Sequence, residues 1–121
     1  MFDWRSFLNF AQDINGSSAS EAALRSAISR AYYAVYHRAS IYVRGHSLVP
    51  PTERLTHEKV WSLIELTADP NGKVIGRRGR ALKRMRIRAD YQTVFPGDLP
   101  SLTNFAVGEA QALLDALDQL S

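Results

Sequence analysis

The stretch SASEAALRSAISRAYYAVYHRASIYVRG, residues 18–45, decides the fold. Leu24, Ala27, Ile28, Ala31, Val35, Ala39 and Tyr42 recur at steps of three and four, which puts them on one face of a helix about seven turns long. Ser18 and Glu21 have the spacing of a capping box, and Gly45 supplies a stop. The small residues Ala27, Ala31, Ala34 and Ala39 permit close approach of neighbours, as a central bundle helix requires.

Working outward, Trp4, Phe7, Leu8, Ala11 and Ile14 make a helical stripe over residues 3–14, with Asp3 as N-cap. Beyond Gly45 to Pro51, a third helix opens at Thr56 and carries Val60, Trp61, Leu63 and Ile64 to about Thr67. Asp69-Pro70-Asn71-Gly72 reads as the next break. A fourth helix runs from about Val74 to Tyr91 on a thin apolar stripe of Ile75, Leu82, Met85 and Ala89. After Phe95-Pro96-Gly97, a fifth spans Ser101 to Leu120, with Leu102, Phe105, Ala106, Leu113, Leu117 and Leu120 on one side. No segment alternates with period 2, so the expected architecture is an all-α, five-helix up-and-down bundle forming one domain over residues 1–121.

Composition agrees. With 121 residues, 45% hydrophobic and 22% charged, the chain can bury a core and does not read as disordered. The absence of cysteine excludes disulfides, thiolate metal sites and thiol nucleophiles. With only His37, His46 and His57, no metal site and no cofactor is expected. No apolar run approaches the ~20 residues of a membrane span, and no targeting segment is visible, so a cytoplasmic protein without membrane contact is expected.

The net charge of +3 conceals a sharp asymmetry. Residues 1–72 are balanced, residues 89–121 hold five acids and no base, and residues 73–88 hold eight cations and no acid. Those cations are Lys73, Arg77, Arg78, Arg80, Lys83, Arg84, Arg86 and Arg88. The Arg fork suits phosphate oxygens, so the block reads as a surface for a polyanion or an acidic partner.

Within that block, Val74-Ile75-Gly76-Arg77-Arg78-Gly79 looks like the Val-Ile-Gly-x-x-Gly loop of a KH module, which lets a nucleic-acid backbone approach closely. A KH fold needs strands, and the long helix over residues 18–44 leaves none. A glycine-softened helix start is the plainer reading.

Ser29-Arg30-Ala31-Tyr32-Tyr33-Ala34-Val35-Tyr36-His37 is more specific. Together with Leu55-Thr56-His57-Glu58-Lys59-Val60 and Arg86-Ile87-Arg88-Ala89-Asp90-Tyr91, in that order, it resembles the small prokaryotic proteins of the HEPN superfamily. The resemblance spans about residues 5–120. It implies a helical bundle that often dimerises and is often paired with a minimal nucleotidyltransferase, including in toxin–antitoxin systems. It also implies that Tyr91 is the tyrosine modified in some of those pairs.

Many HEPN proteins are metal-independent ribonucleases with an Arg-x4-6-His motif on a late helix. In that chemistry the His moves a proton and the Arg stabilises phosphate charge. Laid on Arg84 and Tyr91, the motif puts its histidine at Ala89, which cannot carry a proton. Asp90 is the nearest substitute, but a carboxylate among arginines stays ionised near neutral pH and makes a poor acid.

Arg30 and His37 satisfy the loose spacing on the second helix, where i, i+7 shares a face. A buried, hydrogen-bonded His37 is the simpler expectation. His57 reads as structural at a helix start, and His46 as an exposed loop residue. Tyr32, Tyr33 and Tyr36 read as core and interface aromatics rather than base-stacking platforms.

Three functions therefore compete. In the first, the chain binds RNA or a nucleotide through Arg77, Arg78, Arg80, Lys83, Arg84 and Arg88, without catalysis of its own. In the second, it is a ribonuclease with a displaced site using His37, Arg30 or Asp90. In the third, it is an interaction protein for a nucleotidyltransferase. A homodimer is expected in each case, covering apolar surface left by the thin stripe of the fourth helix and the tyrosine-rich second.

Overall fold

The computed structural model describes residues 2–15 and 20–120. Five helices follow in order: α1 (Arg5–Asn15), α2 (Glu21–Gly45), α3 (His57–Glu65), α4 (Asn71–Tyr91) and α5 (Leu99–Gln119). No strand occurs among the described residues, which removes the KH reading. Val74 to Gly79 lie inside α4 rather than in a loop.

The central role of α2 is as expected, since it packs against each of the other four helices. Its alanines Ala27, Ala31, Ala34 and Ala39 are fully buried, so backbones come close where a larger side chain would hold them apart. Around it, Leu8, Ile28, Tyr32, Val35, Trp61, Ile64, Leu82, Leu113 and Leu117 form the largest part of one continuous core. None of the helices among the described residues is long and apolar enough to cross a membrane.

Local capping explains the helix starts. Asp3 accepts a hydrogen bond from the Arg5 amide at 3.0 Å and Thr56 one from the Lys59 amide at 3.2 Å, as their positions predict. The expected cap at Ser18 lies outside the described residues. There it is Ser20 whose hydroxyl accepts from the Ala23 amide at 3.2 Å, with α2 starting at Glu21.

Two boundaries differ from expectation for clear reasons. Asn71-Gly72 is the first turn of α4, not a break. Pro70 sits at φ −59° and ψ −25°, already helical, and the Asp69 carboxylate accepts from the Asn71 amide at 2.9 Å. α5 starts earlier than Ser101, because Asp98 caps it through the Ser101 amide. The buried face of α5 accordingly runs through Leu99, Thr103, Ala106, Val107, Ala110, Leu113, Leu114 and Leu117. Phe105, expected inside, is 56% exposed, while Thr103 is buried with its hydroxyl on the Leu24 carbonyl at 3.4 Å.

The contact between α3 and α4 depends on glycines. A Cβ at Gly72 would strike the Ile64 carbonyl and Thr67, one at Gly76 would strike the Trp61 carbonyl and Glu65, and one at Gly79 would strike the Trp61 ring. The spacing i, i+4, i+7 lets α4 lie directly on α3.

Candidate nucleic-acid interface

The cations of α4 fall into three groups once the helix is docked. Arg78 donates to Glu109 of α5, with Nε 2.9 Å from Oε2, and its charged form is held more strongly by that carboxylate. Arg80 reaches Glu65 at 2.6 Å, Glu58 at 2.8 Å and Ser62 at 2.7 Å, all on α3. These two arginines, expected to contact phosphate, instead tie α4 to its neighbours. Arg86 is buried and faces α2.

The third group is free. Lys73, Arg77, Arg84 and Arg88 are exposed, and no hydrogen bond or ion pair to another described residue holds them. At 100° per residue, their spacing of four, seven and four confines them to an arc of about 60°, and 1.5 Å per residue stretches them over ~22 Å. Lys73, outside the set expected to bind, starts this strip. Its i, i+4 relation to Arg77 was the sequence signal for it. Beside it, Glu65, Leu66, Lys73 and Arg77 line an open depression of about 300 Å³. Lys83 is half-buried and faces another way, close enough to His57 to disfavour its protonation.

Tyr91 ends the helix on the same arc, seven residues after Arg84, and is 75% exposed. Its backbone is held firmly. Arg25 on α2 donates to the carbonyls of Ala89 at 3.1 Å, Gln92 at 2.5 Å and Thr93 at 3.3 Å, and its guanidinium stands 5.6 Å from the Phe95 ring centre. Carbonyls left open at a helix C-terminus, where the dipole is negative, are thus met by a cation.

The three sequence motifs converge in a second cluster, between α2, α3 and α4. The Trp61 indole N–H donates to the Tyr32 oxygen at 3.1 Å, and the Tyr32 hydroxyl is hydrogen-bonded to His57 Nδ1 at 2.7 Å. The His57 ring stacks on Tyr36 at 3.9 Å. Burial, then the nearby Arg86 and Lys83, push its pKa down to about 4, so it is neutral at pH 7. Burial pushes the Tyr32 hydroxyl well above its ordinary value.

Arg86 stands 5.4 Å from the ring centres of both Tyr32 and Tyr33, with Nη1 3.6 Å from Asp90, and its Nε has no hydrogen-bond partner. Asp90 also accepts from the Ser29 hydroxyl at 3.3 Å. In the sequence His57 stands at a helix start, and Arg86 belongs to the cationic block and opens the Arg86 to Tyr91 motif, outside the set expected to bind phosphate. The spacing Leu82, Arg86, Ala89 already put Arg86 on the inner face.

Arg30 and His37 look elsewhere, toward the rings of the N-terminal segment. Arg30 lies over Phe7 at 4.9 Å, and His37 stacks on Trp4 at 3.6 Å with burial lowering its pKa. Among the described residues no hydrogen bond fixes the His37 ring, and no contact joins Arg30 or His37 to Asp90. Ala89, where a late-helix histidine would stand, is 3% exposed and points into the core. Tyr32 and Tyr36 are buried and Tyr33 half-buried, so of these three tyrosines of α2 only Tyr33 keeps part of its surface open. Apolar exposure on this side comes from Phe2, Phe10 and Ile41 instead.

Among the described residues, no three His, Asp or Glu side chains gather in a metal-holding group. No family model, curated protein or solved structure matches the chain.

Proposed function

We propose that this chain binds RNA through the outer face of α4, with Lys73, Arg77, Arg84 and Arg88 on the phosphates and no catalysis of its own. One observation carries the reading: four exposed cations share one arc of one helix and have no carboxylate of their own. A protein using these charges for stability would have paired them, as it paired Arg78 and Arg80. Cations left in solvent instead hold counterions that a polyanion can release. The HEPN resemblance supports the same reading, and Ala89 supports its non-catalytic half. The homodimer and the nucleotidyltransferase partner belong to the proposal as well. A sedimentation run showing only monomer at micromolar concentration, with and without RNA, removes the dimer from it.

The test is the salt dependence of binding to a short labelled RNA. Four phosphate contacts give a slope of log affinity on log salt of about −3 for a single strand. Replacing Arg84 and Arg88 together by Ala should flatten it by about 1 to 1.5. Arg80→Ala should lower the melting temperature and leave the slope alone. Slopes that respond equally to both variants would overturn the assignment.

A further inference from the structure

We infer that the ligand of this face is a single strand, and that Tyr91 is the platform on which one of its unpaired bases stacks. This rests on the phosphate-binding reading above and adds to it a site for a base. The strip of Lys73, Arg77, Arg84 and Arg88 is nearly straight and about 22 Å long, which suits one backbone laid along the helix. Tyr91 lies on the same arc at the end of that strip, its ring in solvent, three residues beyond Arg88.

Two further features make the ring a platform. The Arg25 clamp on the carbonyls of Ala89, Gln92 and Thr93 fixes the backbone on both sides of Tyr91, so little order is lost when a base arrives. Ile87, one turn before Tyr91 on α4 and 38% exposed, gives a base an apolar edge beside the ring. A row of exposed cations with an exposed aromatic at its end supplies the two parts of a sequence-tolerant single-strand site. A duplex satisfies only the first part. Its bases are stacked on each other, and the deep, narrow major groove of A-form RNA does not admit a helix.

The probes are a short single-stranded RNA of mixed sequence, the same strand with abasic positions, and the corresponding duplex. The single strand should bind more tightly than the duplex. Tyr91→Ala should weaken the intact strand by about tenfold, an ordinary loss for one stacked base. It should leave the abasic strand, the duplex and the salt slope unchanged. Tyr91→Phe should restore binding, because the ring and not the hydroxyl does the stacking. Tyr91 is exposed, so both variants should melt with the parent protein.

If Tyr91→Ala binds the intact strand as well as the parent does, while the slope stays near −3 (four phosphate contacts), the platform is wrong and the phosphate reading stands. Should neither strand nor duplex bind at low salt, the phosphate reading itself fails.

Discussion

Tyr32, Trp61 and His57 show how packing sets the charge of a histidine. The Trp61 N–H donates to Tyr32, whose hydroxyl pairs with His57 Nδ1, and burial of the imidazole in this cluster, with Arg86 and Lys83 nearby, keeps it neutral. Its pKa of about 4 lies below the ordinary 6.5, so the unfolded chain takes up a proton in that interval and the folded chain does not. Stability is therefore fully present above pH 6.5 and is lost as pH falls toward 4. His37, lowered by burial, acts in the same direction.

Between pH 7 and 5 the His57 contribution should come to about 1 kcal/mol, once solvent screening of a half-buried ring is allowed for. His57→Asn keeps an acceptor near the Nδ1 position and removes the titration, so urea midpoints measured across that range should change less in the variant. An unchanged pH dependence would contradict this assignment. The bond itself was not legible in the sequence. His57 and Tyr32 are 25 positions apart, and only the docking of α3 on α2 joins them. Arg86 was half legible: its charge is plain in the sequence, and only its register with Leu82 and Ala89 hints that it is buried.

Helices were the more readable scale, since five stripes gave five elements, with end errors wherever capping decided the boundary. Misreading Asn71-Gly72 as a break came from treating glycine as punctuation. In α4, Gly72, Gly76 and Gly79 are spaced as a packing face, and what they omit is a Cβ. Glycine normally weakens a helix by ~1 kcal/mol against alanine, so Gly→Ala in an exposed helix stabilises.

Gly79→Ala should do the reverse, costing about 1–3 kcal/mol through overpacking on Trp61. Gly108→Ala on α5, where nothing lies within 4 Å, should gain roughly 0.5–1 kcal/mol. Thermal melts of the pair decide the matter. Equal gains at both positions would show that α3 and α4 are not in such close contact. Phe105 carries a related lesson. Its hydrophobicity put it inside, but the phase of α5 is set by the Asp98 cap, and that phase turns Thr103 inward in its place.

Across the whole molecule, the charge asymmetry was the clearest sequence signal, and its partition was hidden. Pairing of Arg78 and Arg80 depends on Glu109, Glu65 and Glu58, which lie 31, 15 and 22 positions away and meet them only in the folded bundle. The remaining strip leaves like charges side by side on α4, at Lys73 and Arg77 and at Arg84 and Arg88. Each such i, i+4 pair costs about 0.2–0.5 kcal/mol, so the two amount to about 0.5–1 kcal/mol of self-repulsion in the unbound protein. Salt screens that repulsion. Ionic strength should then act on this protein with two opposite signs, raising its melting temperature by a few degrees while weakening its hold on RNA. Calorimetry from low to moderate salt, run beside the binding titration, would show the crossing. On the proposed reading, dissolved cations compete with the protein for RNA, while dissolved anions do for α4 what RNA would do, and the free fold is one whose counter-charge arrives from outside.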